Sequence, residues 1–134
     1  MAIKSKVTVK WNGKQLADRY EQAIADGLTA GAIYLQREIT RNLGYPSPSM
    51  PFEYPGKDTG NLRRSITFSA ATPGSLVAAA GVSANNPTEN TYGLHLEFGT
   101  SKMLPRPFLM RTLVDNYAAI SSVVVATARR RMKA

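Results

Sequence analysis

The single histidine of the 134-residue chain lies two residues from a carboxylate, in His95-Leu96-Glu97. On a strand these side chains share a face, where they could form a hydrogen-bonded acid–base pair or supply two metal ligands. No third ligand stands nearby, and a lone His-x-Glu weighs towards a satisfied polar pair or a subunit contact. The chain has no cysteine, which excludes disulfide scaffolds, Cys-based zinc sites, iron–sulfur clusters and thiol catalysis. Asp58, Thr59 and Ser65, beside Arg63 and Arg64, have the residue types of a phosphate pocket. They lack a Gly-x-x-x-x-Gly-Lys or Gly-x-Gly-x-x-Gly loop, so a capped turn is the simpler reading. The serines have no nucleophile-elbow context. The expectation is therefore not an enzyme, with no catalytic, metal-binding or cofactor-binding residue and no small-molecule substrate.

Charge is the stronger signal. Lys and Arg number 17 against 9 Asp and Glu, a formal net charge of +8. Attraction to polyanions follows from such a balance. The positives cluster at Lys4, Lys6, Lys10 and Lys14, at Arg63 and Arg64, and at Arg129, Arg130, Arg131 and Lys133. The last group either faces DNA phosphates or an acidic partner, or only complements the dipole of a helix end. There is no helix-turn-helix cadence, zinc finger or basic zipper to read a DNA sequence. The longest apolar stretch, Leu76 to Val82, is far short of the ~20 residues that cross a bilayer, so no membrane partner is expected. The first residues carry charge without an apolar core behind them, and no secretory signal is expected.

The elements that must position these residues read as one α+β domain over 1–134. Hydrophobic residues are 43% and charged residues 19%, a globular composition. Residues 4–11 alternate, with Val7, Val9 and Trp11 on one face, and predict a half-buried strand closed by an Asn12-Gly13 turn. Residues 16–41 predict a long helix, its stripe running through Leu16, Tyr20, Ala23, Ile24, Gly27, Leu28, Gly31, Leu35 and Ile39. Gly27 and Gly31 share that stripe at a cost of about 1 kcal/mol each against Ala, which implies a close backbone neighbour or a kink.

Residues 42–59 form a Pro-rich loop, with Tyr45, Phe52 and Tyr54 among four prolines. It is either an interaction arm or a stiffened loop packed on its own core. Asp58 or Thr59 caps a short turn before Ser65. Residues 65–82 predict an antiparallel hairpin, its second strand, Leu76–Val82, covered on both sides. Residues 83–91 are polar, with Asn85-Asn86-Pro87 as a breaker, and read as a solvent loop or second arm. Residues 92–98 are a short element, strand or one to two helical turns. A last helix spans about 107–131, opened by Pro107 and striped by Met110, Leu113, Tyr117, Ile120 and Val124. The architecture expected is a small antiparallel sheet packed against a long N-terminal helix and a C-terminal helix, with long Pro-rich and polar loops.

Three pieces, in order, carry a resemblance: Thr59-Gly60-Asn61-Leu62-Arg63-Arg64-Ser65-Ile66, then Tyr92-Gly93-Leu94-His95-Leu96-Glu97-Phe98-Gly99-Thr100, then Arg106-Pro107-Phe108-Leu109. With a long helix before them, they resemble the small neck and tail-component proteins of long-tailed bacteriophages, comparable in role to the minor tail protein Z of phage lambda. The resemblance covers the chain from about Leu16 onward. It implies a structural virion protein, assembled in the host cytoplasm, that completes the tail or joins head to tail. It implies a homo-oligomeric ring, a hexamer favoured, between the head-closure or connector ring and the tail terminator or tail tube, with no cofactor. Thr59, Gly60, Leu62, Arg63, Ser65, Glu97, Phe98, Gly99, Thr100, Arg106, Pro107 and Phe108 then become interface or structural-motif positions. Arg129, Arg130, Arg131 and Lys133 become residues facing DNA or an acidic ring, contacting phage DNA without sequence preference. The alternative is a nonspecific nucleic-acid-binding module that works through its basic surface.

Overall fold

The computed structural model describes residues 13–44 and 60–133. The strand expected at 4–11, residues 45–59 of the Pro-rich loop and Thr59 lie outside the described residues.

The fold is α+β, with two long helices, a two-stranded antiparallel sheet and shorter helices between them. Helix α1, Gly13–Asn42, has 30 residues and is about 45 Å long. It begins three residues before the expected start, so Gly13 belongs to the helix and not to a turn. Lys14 and Gln15 are good helix formers and nothing in this stretch stops propagation. Asn42, expected in the loop, is its last residue.

The first half of α1 lies antiparallel to α5, Tyr117–Lys133. The pairing is fixed at one end by Arg19 Nη2, which donates to the carbonyl of Met132 at 2.9 Å, and by Arg131 against Asp26 at 3.6 Å. Beyond Asp26 the helices nearly touch. A Cβ on Gly27 would lie 2.6 Å from the carbonyl oxygen of Val124, and one on Gly31 would lie 2.6 Å from the Val124 Cγ2. The two glycines thus let a second backbone approach α1. Small residues make the contact, and Leu16, Tyr20 and Ile24, expected in the buried stripe, are 45%, 43% and 37% exposed.

The second half of α1 packs on the sheet and on α4. Strands β1 (Ile66–Ser69) and β2 (Ala79–Val82) pair from Ile66↔Val82 to Ser69↔Ala79. The hairpin is shorter than expected, and β2 is not covered on both sides: Leu76 and Val77, outside the paired segment, are 41% and 69% exposed. Two bonds fasten the sheet to α1. Gln36 Nε2 donates to the Ile66 carbonyl at 3.2 Å, and the Ala71 N–H donates to Thr29 Oγ1 at 3.0 Å.

The segment expected as a polar loop at 83–91 is mostly helix. Helix α3 spans Pro87–Phe98 and absorbs both that loop and the ambiguous element after it. Asn86 is the N-cap, its side chain accepting the Glu89 N–H at 3.3 Å. Pro87 stands in the first turn, where a missing N–H costs nothing. Asn-Pro therefore starts a helix here and does not break one.

The last helix is two. Helix α4 spans Leu109–Asp115 and α5 follows after Asn116. Pro107 precedes the N-cap, Phe108, and does not occupy the first turn. The break is at Asn116, whose Nδ2 donates to the Thr112 carbonyl at 2.9 Å. That side-chain bond competes with the helical ladder, while the Asn116 carbonyl accepts the N–H of Ile120 at 2.9 Å to start α5. The expected stripe is split in consequence. Met110 and Tyr117 are 60% and 69% exposed. Phe108 and Thr112 turn inward instead, each at 0%. The core joins Ile39 and Leu43 of α1 and its end, Leu62 of α2 (Asn61–Arg64), Ile66, Leu96 and Phe108.

Candidate functional site

His95 and Glu97 do not form a pair. They lie on α3, where residues two apart point about 200° away from each other. Glu97 instead turns to the start of α4. Its Oε2 accepts the N–H groups of Phe108 and Leu109 at 2.8 and 2.9 Å, and its Oε1 accepts that of Met110 at 3.1 Å. A helix begins with N–H groups that have no intrahelical acceptor and with a partial positive charge. One carboxylate answers both, so Glu97 is a capping residue supplied from another helix. His95 is exposed. Among the described residues, no group of three or more His, Asp or Glu could hold a metal ion.

Nor do the residue types of a phosphate pocket around Ser65 converge. The Ser65 hydroxyl donates to the Leu62 carbonyl at 2.7 Å and is buried. Arg64 turns to Asn61 Oδ1. Arg63 leaves in another direction, its Nε donating to the Thr40 carbonyl of α1 at 3.0 Å. Asp58 lies outside the described residues. The cap position of α2 is Gly60, at φ 81° and without a side-chain cap bond.

What the structure does bring together is the three short sequence pieces. Leu62, Leu96 and Phe108, one from each, share the core. Above them a Cβ on Gly93 would meet Phe108 Cζ at 3.4 Å and Leu62 Cδ1 at 3.5 Å. The Arg106 N–H donates to the Leu96 carbonyl at 2.7 Å. Between these contacts Gly99, at φ 76°, lets the chain leave α3. A Cβ there would lie 2.9 Å from the Met103 carbonyl oxygen and 3.0 Å from Pro105. Thr100 closes the following turn, exchanging backbone hydrogen bonds with Met103. Most of these positions are thus inner parts of a junction.

Phe98 is different. It is 74% exposed and lines an open groove of about 370 Å³ with Leu94, Met110 and Leu109, floored by Val82 and Gly93. Leu94 and Met110 are 55% and 60% exposed, and Val114, one turn beyond Met110, is 63%. Contiguous apolar surface of this kind marks a docking site more often than a solvated face, and Phe and Met are enriched at interfaces. The groove offers no acid, base or nucleophile free to act, because its one carboxylate is Glu97, engaged by three N–H groups. The family resemblance marked Phe98 as a motif position but did not single out Leu94, and helical spacing placed Met110 on the apolar stripe of the last helix.

The basic residues of the C-terminus, Arg129, Arg130, Arg131 and Lys133, are all exposed. Arg131 pairs with Asp26 of α1 at 3.6 Å. No helix among the described residues is long and apolar enough to cross a membrane. No protein-family model, curated protein or solved structure matches the chain.

Proposed function

We propose that this chain is a structural subunit of the neck or tail of a long-tailed bacteriophage, completing the tail or joining it to the head as a member of a ring. The observation that carries the reading is the convergence of its three motif pieces. Pieces separated in sequence share one core around Leu62, Leu96 and Phe108, and are tied by Glu97 to the start of α4. The three pieces thus form one spatial unit, which supports the reading. The exposed groove of Leu94, Phe98 and Met110 beside that unit supplies an adhesive surface for a second copy.

The test is electron microscopy of particles from a phage lacking this gene, with the gene resupplied as control. Filled heads with separate tails, or tails of abnormal length that do not join, are the expected outcome. Complete infectious particles without the gene would overturn the reading.

A further inference from the structure

Arg37, Arg41 and Arg63 line one hollow of about 440 Å³ with Ile33, Gln36 and Thr40. Two of the arginines come from α1 and the third from α2, more than twenty residues later in the chain. Arg37 and Arg41 stand one helical turn apart, where like charges repel. Among the described residues, the ion pair made by these arginines is Arg41 with Glu38 at 3.4 Å. Arg37 has no ion pair or hydrogen bond among the described residues. Arg63 is held by its Nε on the Thr40 carbonyl at 3.0 Å, and that bond leaves its terminal nitrogens to other acceptors. Three exposed guanidinium groups around one depression, against one carboxylate, are an unbalanced positive site in a chain of net charge +8.

We infer that this hollow binds the phosphate backbone of nucleic acid, with Arg37 and Arg63 as the phosphate contacts. Guanidinium forks suit phosphate oxygens and accept them in pairs of hydrogen bonds. Gln36 and Thr40 lie on the same wall, although their side chains are already engaged with the Ile66 and Gln36 carbonyls. They therefore shape the hollow and do not read a base. The depression is open to solvent, so a chain can pass across it. Among the described residues no base-reading element accompanies it, and contacts to phosphate alone carry no sequence information. This inference does not depend on the virion reading: it concerns the free protein.

The experiment measures fluorescence anisotropy of a labelled 20-base-pair duplex against the purified full chain across a salt series. Arg37→Ala/Arg63→Ala is compared with Lys102→Ala/Arg111→Ala, which removes the same charge at exposed positions elsewhere. Each phosphate contact contributes about 0.9 to the slope of log affinity against log salt. The first variant should lose about two units of slope and at least tenfold in affinity at low salt, and the second less than threefold. Arg37→Glu, at an exposed position without a partner, repeats the test without disturbing the Arg63–Thr40 bond. Equal losses in both double variants would assign the binding to the general field of the protein and overturn the site. Failure of the wild-type chain to bind duplex at low salt would overturn it too. So would equal competition by a poly-glutamate peptide at matched charge, which would point to an acidic protein partner.

Discussion

The Glu97 carboxylate accepts the backbone N–H of Phe108, eleven positions further along the chain, at 2.8 Å. The bond joins the end of α3 to the cap of α4, and the same carboxylate takes the next two N–H groups as well. It turns an acid that could be mistaken for half of a catalytic pair into the fastener of the junction. Removing it leaves three donors at a helix start without their acceptor. Glu97→Ala should cost about 2 kcal/mol, read as a fall in Tm of roughly 5–10 °C. Glu97→Gln keeps one acceptor oxygen and loses the charge, so it should fall between Ala and the wild type. A Tm unchanged in Glu97→Ala would remove the capping role.

The α1–α5 contact makes a sharper prediction, because its two glycines meet different obstacles. Helix propensity alone favours Ala over Gly by about 1 kcal/mol. At Gly27 the obstacle is the carbonyl oxygen of Val124, and at Gly31 it is the Val124 side chain. Both Gly→Ala variants should destabilise, by about 1–3 kcal/mol as in other overpacked contacts. In a Val124→Ala background Gly31→Ala should become neutral or stabilising, whereas Gly27→Ala should remain costly. Chemical denaturation of the four variants decides it, and equal relief at both sites would contradict the backbone contact.

Much of this was legible from residue pattern. The 3–4 spacing of α1, the alternation that makes the hairpin, and the meaning of two glycines on one stripe all rest on local periodicity. The hairpin expected over 65–82 turns at Thr72–Ser75, which closes with a pair of backbone bonds at 3.0 and 2.9 Å. What escaped has a physical reason in each case. Asn86-Pro87 punctuates a loop in many settings, but with Glu89 at the third helical position it also makes a capping signature. That signature was present in the sequence and favoured α3. The break at Asn116 depends on a side chain reaching back one turn, which spacing cannot reveal. The groove was hidden for a related reason. Met110 fits a helical stripe, and only the break and the resulting direction of α4 decide that it faces outward. Glu97 was marked by its sequence neighbours, yet its work is set by a helix start eleven residues on.

The groove itself can be tested without disturbing the fold. Phe98 and Met110 are 74% and 60% exposed, so replacing them by Ser should change stability by no more than about 0.5 kcal/mol each. If the groove receives a second copy, Phe98→Ser/Met110→Ser should need at least tenfold higher concentration to associate, measured by sedimentation velocity. The same variant should fail to restore joined particles to a phage lacking the gene. Unaltered association together with full complementation would remove the groove from the subunit contact.

The last prediction concerns how α1 is locked to α4. Thr112 is fully buried, and its hydroxyl accepts from Asn42 Nδ2 at 3.0 Å while donating to the Phe108 carbonyl. The end of α1 is thereby bonded to the first turn of α4, beside the helix start that Glu97 caps. Thr112→Val keeps the shape and removes both bonds. It strands the Asn42 amide in a partly buried place, and an unsatisfied donor costs about 1–3 kcal/mol. Asn42→Ala removes that donor, at the expense of the one bond. If the two residues act through this bond, the double variant should be less destabilised than the sum of the singles, by about 0.5–1 kcal/mol or more. Strict additivity in a double-mutant cycle by urea denaturation would mean that the pair contributes nothing as a pair. Coupling of the expected sign would establish the α1–α4 bond, which stands beside the α3–α4 cap. Phe108 is then held from three sides: its N–H by Glu97, its carbonyl by Thr112, and its ring by the core.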